Sequence, residues 1–301
     1  MRLLQGHSKD VRAVAYAPDG RLVSGGDDRT VRVWDAAAGT CLRVLKAQNV
    51  VYAVAISPDG VSLATAGRAA RRANGANAVQ LWDLDTGRSE GEYEWPMPAP
   101  VPSIWSIAFS ADGRHLAAAC RRLGPGRMLN GGGGRWWRRD PPADAGFPNA
   151  TVCAVGFAPA GAAVALTQEG AVEILDRPDG PPRSVYRLSA AWAAAVAFIP
   201  PGKSLAVVAG STLYLADVPA GRLRRFKTGL RSLATVAASP DGRAVLVGGS
   251  PGGVECYDVE TGVRRSAYDF GVGRVHGIAF APDGCTFAMG GDKGLAVCDV
   301  G

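Results

Sequence analysis

The feature that most constrains this chain is a short turn that recurs along its whole length. The turn has the form small-Pro-Asp-Gly and is intact at Ala17-Pro18-Asp19-Gly20, Ser57-Pro58-Asp59-Gly60, Ser239-Pro240-Asp241-Gly242 and Ala281-Pro282-Asp283-Gly284. Weaker copies end at Gly113, Gly161 and Gly202. The seven turn glycines are 40, 53, 48, 41, 40 and 42 residues apart. A period of roughly 40 to 50 residues is typical of propellers and solenoids, so the sequence predicts seven repeats.

Each turn joins two segments that have the length of β-strands. The segment Val11 to Tyr16 precedes the first turn, and a second segment begins at Arg21. Short apolar runs between turn residues favour strands over helices. A third strand ends at Trp34-Asp35, and a fourth runs from Cys41 to Leu45. Each repeat is therefore predicted to be a four-stranded antiparallel meander.

Composition agrees with an all-β fold. The chain contains 40 Gly and 20 Pro, which favours many tight turns, and 47% hydrophobic residues, which is ample for a core. Its six cysteines include no C-x-x-C pair and are expected to be reduced. The N-terminus lacks a signal-peptide core and no apolar run reaches the length of a membrane span, so we expect a cytoplasmic protein without membrane contact.

The first repeat carries a specific resemblance. Gly6-His7, Ser24, Asp28 and Trp34 stand at the positions of the buried hydrogen-bonded tetrad of the WD-repeat β-propeller family, which the chain resembles along essentially its whole length. The resemblance implies one seven-bladed propeller over residues 1–301, with His7, Ser24, Asp28 and Trp34 as a structural tetrad. The other repeats lack the Gly-His pair, and we expect apolar packing to hold them.

The two ends of the sequence predict how the ring closes. The last repeat ends at Cys298-Asp299, after its third strand, while Arg2-Leu3-Leu4 precedes the first complete repeat. We expect this N-terminal strand to complete the last blade, because pairing the two removes exposed sheet edges.

Blade 3 has the weakest pattern. We expect its second strand at Arg114 to Cys120, its third at Arg127 to Asn130 and its outer strand at Arg135 to Arg139. One of Trp136 and Trp137 should then pack inward, while the other is partly exposed. The segment from Asp140 to Ala150 is expected to be a long loop.

Motifs for catalysis or metal binding are weak. The G-x-S-x-G match at Gly248 to Gly252 joins two strands and has no helix after it, so it is not a nucleophile elbow. Gly202-Lys203-Ser204 lacks the leading glycine of a phosphate loop. His7, His115 and His276 lie in different repeats without a nearby ligand in sequence. We expect no catalytic residue, no cofactor and no metal.

The residues that indicate a binding function are predicted to lie on one face of the ring. In the family, the second residue of each inner strand points to the top face beside the central channel. These positions are Arg12, Tyr52, Trp105, Cys153, Ala194, Ala234 and His276, with Asp10, Trp192 and Arg274 two residues before three of them. Insertions that carry Arg68, Arg71 and Arg72, and a Pro-rich stretch from Trp95 to Pro102, are predicted to lie on the same side.

Three functions fit these features. The leading hypothesis is a non-enzymatic scaffold that binds a peptide or an acidic protein on the top face and is a monomer outside its complexes, because aromatic and Arg residues anchor interfaces. The alternative is nucleic-acid binding, since the formal charge is +6 and arginines neighbour aromatics. An enzyme that uses the central channel is less favoured, because small residues line blades 4 to 6.

Overall fold

The computed structural model describes residues 1–68, 77–95, 103–121, 133–139, 143–146, 152–158, 161–167, 170–175, 183–189 and 193–300. Within these ranges, 28 strands form seven four-stranded sheets and no helix occurs. All strand pairs among the described residues are antiparallel, and within a blade each strand pairs with the next along the chain, as in a β-meander. The predicted seven-bladed propeller is confirmed.

The blades follow the order of the repeats, and within each blade the strands run from the channel outward. Blade 1 comprises β2 (Val11–Tyr16), β3 (Arg21–Gly26), β4 (Thr30–Asp35) and β5 (Thr40–Lys46). Blade 2 comprises β6 (Val50–Ile56), β7 (Ser62–Arg68), β8 (Asn77–Asp83) and β9 (Ser89–Trp95). Blade 3 comprises β10 (Ser103–Phe109), β11 (His115–Arg121), β12 (Gly134–Arg138) and β13 (Ala143–Gly146). Blade 4 comprises β14 (Val152–Phe157), β15 (Ala163–Thr167), β16 (Ala171–Leu175) and β17 (Arg183–Arg187).

The last three blades complete the ring and close it. Blade 5 comprises β18 (Ala193–Ile199), β19 (Ser204–Ala209), β20 (Thr212–Asp217) and β21 (Arg222–Lys227). Blade 6 comprises β22 (Ser232–Ala238), β23 (Ala244–Ser250), β24 (Val254–Asp258) and β25 (Arg264–Tyr268). Blade 7 comprises β26 (Val275–Phe280), β27 (Thr286–Gly291), β28 (Gly294–Asp299) and β1 (Arg2–Leu4). Because Arg2 pairs with Val297 and Leu4 with Leu295, the expected closure by the N-terminal strand is confirmed.

The recurring turn joins the first and second strands of each blade, and its chemistry explains its sequence. In blade 6 the Ser239 hydroxyl donates to Asp241 Oδ1 at 2.6 Å, and the Arg243 N–H donates to the same oxygen at 3.0 Å. Gly242 adopts a φ of 71°, which residues with a side chain rarely adopt. The serine, aspartate and glycine therefore each stabilise one part of the turn.

The apolar core is distributed between the blades. Among the described residues there are seven buried clusters, and each one lies in the seam between two neighbouring blades. The seam between blades 7 and 1, for example, contains Leu4, Leu22 and Trp34. Each blade is consequently buried on both of its faces.

Blade 3 differs from its prediction. The segment expected to be the outer strand is β12, which pairs with β11 on one side and β13 on the other and is thus the third strand. The outer strand β13 lies inside the segment expected to be a loop. The predicted third strand, 127–130, falls outside the described residues.

The burial of both tryptophans of β12 fits a third strand and does not fit the predicted outer strand. Trp136 and Trp137 are only 8% and 3% exposed, so neither is the partly exposed residue that an outer strand would show. Trp137 packs in the seam with blade 2, and Trp136 packs in the seam with blade 4. A third strand is covered on both faces, whereas an outer strand is not.

Candidate functional site at the mouth of the central channel

A β-bulge near the start of every inner strand shapes the channel mouth. The strand register skips one residue in each blade, and the skipped residues are Arg12, Tyr52, Trp105, Cys153, Ala194, Ala234 and His276. A bulge re-aims the side chain of the extra residue. We call the face at this end of the inner strands the top face.

Six of these seven residues line a cavity of about 330 Å³ at the centre of the ring. Cys153 is the exception, because its side chain is buried and its thiol lies 3.2 Å from the Leu166 carbonyl oxygen. Blades 5 and 6 contribute Ala194 and Ala234, so their side of the mouth carries no bulky side chain at this position. The large side chains gather on blades 7, 1, 2 and 3.

Arg12 is held by two carboxylates. Its Nε and Nη2 donate to the two oxygens of Asp27 at 3.1 and 2.7 Å, and Nη2 also donates to Asp10 at 2.8 Å. Burial alone would lower the pKa of Arg12, but the hydrogen bonds to Asp27 and the negative charges of Asp27 and Asp10 together outweigh it, so the pKa lies above its usual value. The positive charge of Arg12 is therefore neutralised within the protein.

His276 links Arg12 to Asp292. Its Nε2 lies 2.6 Å from Asp292 Oδ1, and Arg12 Nη1 lies 2.9 Å from Nε2 and 3.4 Å from Nδ1. Because a carboxylate can only accept, Nε2 carries the proton and Nδ1 is left to accept from Arg12. Burial lowers the pKa of His276, although the hydrogen bond to Asp292 opposes this, so the ring is neutral at neutral pH. Burial raises the pKa of Asp292, but the hydrogen bonds from His276 and the Arg274 backbone and the nearby charge of Arg12 together outweigh it, so the net pKa is lowered.

An aromatic pair stands beside this network. The rings of Tyr52 and Trp105 are stacked, with centroids 4.2 Å apart and planes 23° from parallel. Both side chains are half-buried, and Trp105 Nε1 is enclosed and has no hydrogen-bond partner among the residues that the structure describes. Stacking fixes the two rings against each other and leaves part of their surface at the mouth.

Three groups of the kind that bind metals converge here, which sequence spacing did not reveal. Potential ligand atoms of Asp10, His276 and Asp292 all lie within 4.8 Å of one another. They come from opposite ends of the chain, so the ring closure alone brings them together. The guanidinium of Arg12 already bonds to Asp10 and contacts His276, so it supplies the positive charge that a bound cation would otherwise provide to the carboxylates. The arrangement is an ion-pair network.

The remaining predicted rim residues are only partly within the described chain. Arg68 ends β7 and is exposed, and Arg274 is exposed while its backbone N–H donates to Asp292 at 3.2 Å. Arg71, Arg72 and Trp192 lie outside the described residues, as does the Pro-rich stretch after Trp95.

The four tetrad residues form one hydrogen-bonded chain through blade 1. Trp34 Nε1 donates to Ser24 Oγ at 2.8 Å, Ser24 Oγ lies 2.8 Å from His7 Nε2, and His7 Nδ1 lies 2.9 Å from Asp28 Oδ2. Since Asp28 can only accept, His7 donates to it and accepts from the serine. Every donor along this chain is satisfied, as a buried polar network requires.

Two other blades contain polar networks where apolar packing was expected. In blade 2, Trp82 Nε1 donates to Thr65 Oγ1 at 2.9 Å, at the positions of Trp34 and Ser24. In blade 6, the Tyr257 hydroxyl donates to the buried Glu255 at 2.8 Å, and Arg264 donates to the other Glu255 oxygen at 2.8 Å. These blades have the expected apolar packing, and they also contain buried polar pairs that were not predicted from the sequence.

The comparison with known families agrees with the tetrad and the ring. The family described as "WD domain, G-beta repeat" matches residues 1–35 and 39–83, the first two blades. Seven four-stranded sheets arranged as propeller blades extend the same pattern over the rest of the chain. The match and the seven-bladed ring together support membership of the WD-repeat β-propeller family. In this WD-repeat protein the first blade is the one that retains the full tetrad.

Several curated proteins share part of this WD-repeat sequence. The "Ribosome biogenesis protein BOP1 homolog" of Drosophila persimilis is 41% identical over 69 residues, which is 21% of this chain and 9% of that protein. The "Protein LST8 homolog" of Drosophila melanogaster is 34% identical over 117 residues, 38% of this chain and 34% of that protein. The "Small ribosomal subunit protein RACK1z" of Oryza sativa subsp. japonica is 31% identical over 119 residues, 38% of this chain and 33% of that protein.

These partial similarities support a general function but no specific partner. The matches span about a third or less of each relative's length. WD-repeat propellers are generally non-enzymatic scaffolds for protein interaction, and the similarity supports this general function. Among the described residues, no helix is long and apolar enough to cross a membrane.

Proposed function

We propose that this WD-repeat protein is an interaction scaffold that holds a peptide or a folded partner on its top face, over the mouth of the central channel. The observation that carries the proposal is the stacked pair of Tyr52 and Trp105 at the rim of the central cavity. Large aromatic side chains in such positions are the usual anchors of protein interfaces.

The charged residues around the channel mouth differ in whether they are paired within the protein. Arg12 is bound to Asp10 and Asp27, so it stiffens the rim and does not offer a free charge to a partner. The exposed guanidiniums of Arg274 and Arg68 are the described rim charges that an acidic partner would meet. Aromatic contact thus supplies affinity, while rim charge steers the encounter.

The test compares variants of the two faces. Proteins from the source organism that bind the wild type are identified by pull-down, and their affinities are then measured by surface plasmon resonance. Truncation of Trp105 or Tyr52 to Ala should weaken binding by about 2 kcal/mol or more, as buried anchors do. The control is Lys203→Glu, an exposed residue in the turn at the opposite end of the blade 5 inner strand, which should leave binding unchanged. Equal losses from both faces, or a loss from Lys203→Glu alone, would contradict a top-face site.

A further inference from the structure

The outer strand of each blade leaves one edge of its sheet unpaired, and most of these edges are short or interrupted. The outer strands β5, β9, β17 and β25 each contain a break in register. The outer strands β1 and β13 are only three and four residues long. Bulges and short strands are the means by which proteins prevent another strand from pairing at an exposed edge.

Blade 5 lacks this protection. Its outer strand β21 has six residues that pair with β20 in unbroken register, from Thr212 with Lys227 to Asp217 with Arg222. Five of the six residues of β21 are exposed, and its other edge pairs with no described strand. Among the seven outer strands, β21 is therefore the regular edge that can accept a further strand.

The same strand is strongly basic. It has the sequence Arg-Leu-Arg-Arg-Phe-Lys and contains no carboxylate. The guanidinium of Arg224 donates to the carbonyl oxygens of Val259 and Glu260 at 2.6 and 2.5 Å, so it is held against blade 6. The side chains of Arg222, Arg225 and Lys227 are exposed and form no ion pair with any other residue that the structure describes. Their charge is available to a partner.

A groove runs beside the strand on the side of blade 6. It has a volume of about 570 Å³, and its lining includes Arg225, Phe226, Lys227, Tyr257 and Arg264 but no carboxylate. The Arg264 guanidinium is paired with Glu255 at 2.8 Å, so it brings no free charge to the groove. Because alternate residues of a strand share a face, Arg224 and Phe226 face blade 6, whereas Arg225 and Lys227 lie together on the opposite face of β21.

We propose that the outer edge of blade 5 binds an extended acidic segment of a partner protein, which adds to the sheet as a fifth strand beside β21. Main-chain hydrogen bonds to the open edge would supply affinity, as in other cases of strand addition. Carboxylates at alternate positions of the added strand would pair with Arg225 and Lys227 and set its register. The site lies on the side of the ring and does not depend on the top-face proposal.

The structure favours a peptide over a nucleic acid at this edge. Single-stranded nucleic acids bind through a basic groove together with aromatic rings on which bases stack. The aromatic residue of β21 is Phe226, which is half-buried and lies under the guanidinium of Arg224, 5.7 Å from the ring centre. An open strand edge, in contrast, presents N–H and C=O groups at the spacing of another extended chain.

The experiment measures binding of a fluorescein-labelled peptide that alternates Glu and Thr, by fluorescence anisotropy. The variant Arg225→Glu/Lys227→Glu should bind at least about tenfold more weakly than wild type, because two attractions become repulsions. The matched control Lys46→Glu/Arg88→Glu makes the same change in net charge at exposed positions of blades 1 and 2, and should bind as wild type does. A peptide of the same sequence with alternate backbone nitrogens methylated keeps its charge but cannot pair along a strand edge, and it should also bind at least about tenfold more weakly.

Several results would overturn the proposal. Equal losses in both double variants would show that net charge alone attracts the peptide. Undiminished binding of the methylated peptide would exclude strand addition. Because this comparison uses the wild-type protein, its result stands even if a variant fails to fold. If oligouridine displaced the labelled peptide as effectively as the unlabelled acidic peptide does, the site would be one for nucleic acid. Concentration-dependent self-association in light scattering that is lost in Arg225→Glu/Lys227→Glu, without peptide binding by the wild type, would indicate a second copy of this chain.

Discussion

Several buried polar residues in this propeller have hydrogen-bond partners that sequence alone reveals only in part. The tetrad of blade 1 could be predicted, because its members follow a familial spacing within one repeat. The proximity of His276 to Asp10 could not be predicted, because ring closure brings together residues from the two ends of the chain. The bond from Trp82 to Thr65 was missed because a threonine replaces the expected serine, although both offer a hydroxyl acceptor.

The tetrad predicts a coupled loss of stability. Trp34→Phe removes the indole N–H that donates to Ser24, and Ser24→Ala removes the hydroxyl that joins Trp34 to His7. Each change should lower the free energy of unfolding by about 1–3 kcal/mol, because a buried polar group loses its partner. The double variant should cost clearly less than the sum, because the bond between Trp34 and Ser24 is lost only once. Urea denaturation gives all three values, and strictly additive losses would show that the two residues are not coupled.

At the scale of strands, the repeat predicts most of the fold because each turn fixes where the first two strands of a blade meet. The predicted inner segment of blade 1, Val11 to Tyr16, has the bounds of β2 in the structure. Blade 3 was placed incorrectly because its third strand was assigned to 127–130, which made the segment with Trp136 and Trp137 the outer strand, whereas this segment is the third strand β12. In a propeller, a third strand has a neighbouring blade on each face, so both side chains are buried.

This placement of β12 predicts that both of its tryptophans support the fold. Trp136→Ala and Trp137→Ala should each lower the free energy of unfolding by about 3–5 kcal/mol, because each empties part of a different seam. Leu42→Ala serves as a control, since Leu42 is 55% exposed on the outer strand of blade 1 and should change stability by no more than about 0.5 kcal/mol. A large loss for one tryptophan and almost none for the other would favour the outer-strand assignment instead.

At the scale of the whole molecule, stability depends on seven seams that form a closed ring. Each blade packs against two neighbours, so the loss of one seam exposes the faces of two blades at once. The seam between blades 7 and 1 is the one that joins the two ends of the sequence, and β1 contributes to it through Leu4. The hydrogen bonds that join Arg12, His276 and Asp292 cross the same seam near the channel. Closure thus holds the fold and assembles part of the candidate site.

Two adjacent leucines of β1 allow this role to be measured. Leu4 is 5% exposed and packs in the closing seam, whereas Leu3 is 48% exposed on the other face of the same strand. Leu4→Ala should therefore lower the free energy of unfolding by about 2–5 kcal/mol, and Leu3→Ala by no more than about 0.5 kcal/mol. Removal of Met1 to Gln5 should cost more than Leu4→Ala, because it also removes the strand that pairs with β28. Hydrogen exchange should then show lost protection first in β28, and an equal effect of the two leucine variants would contradict closure through Leu4.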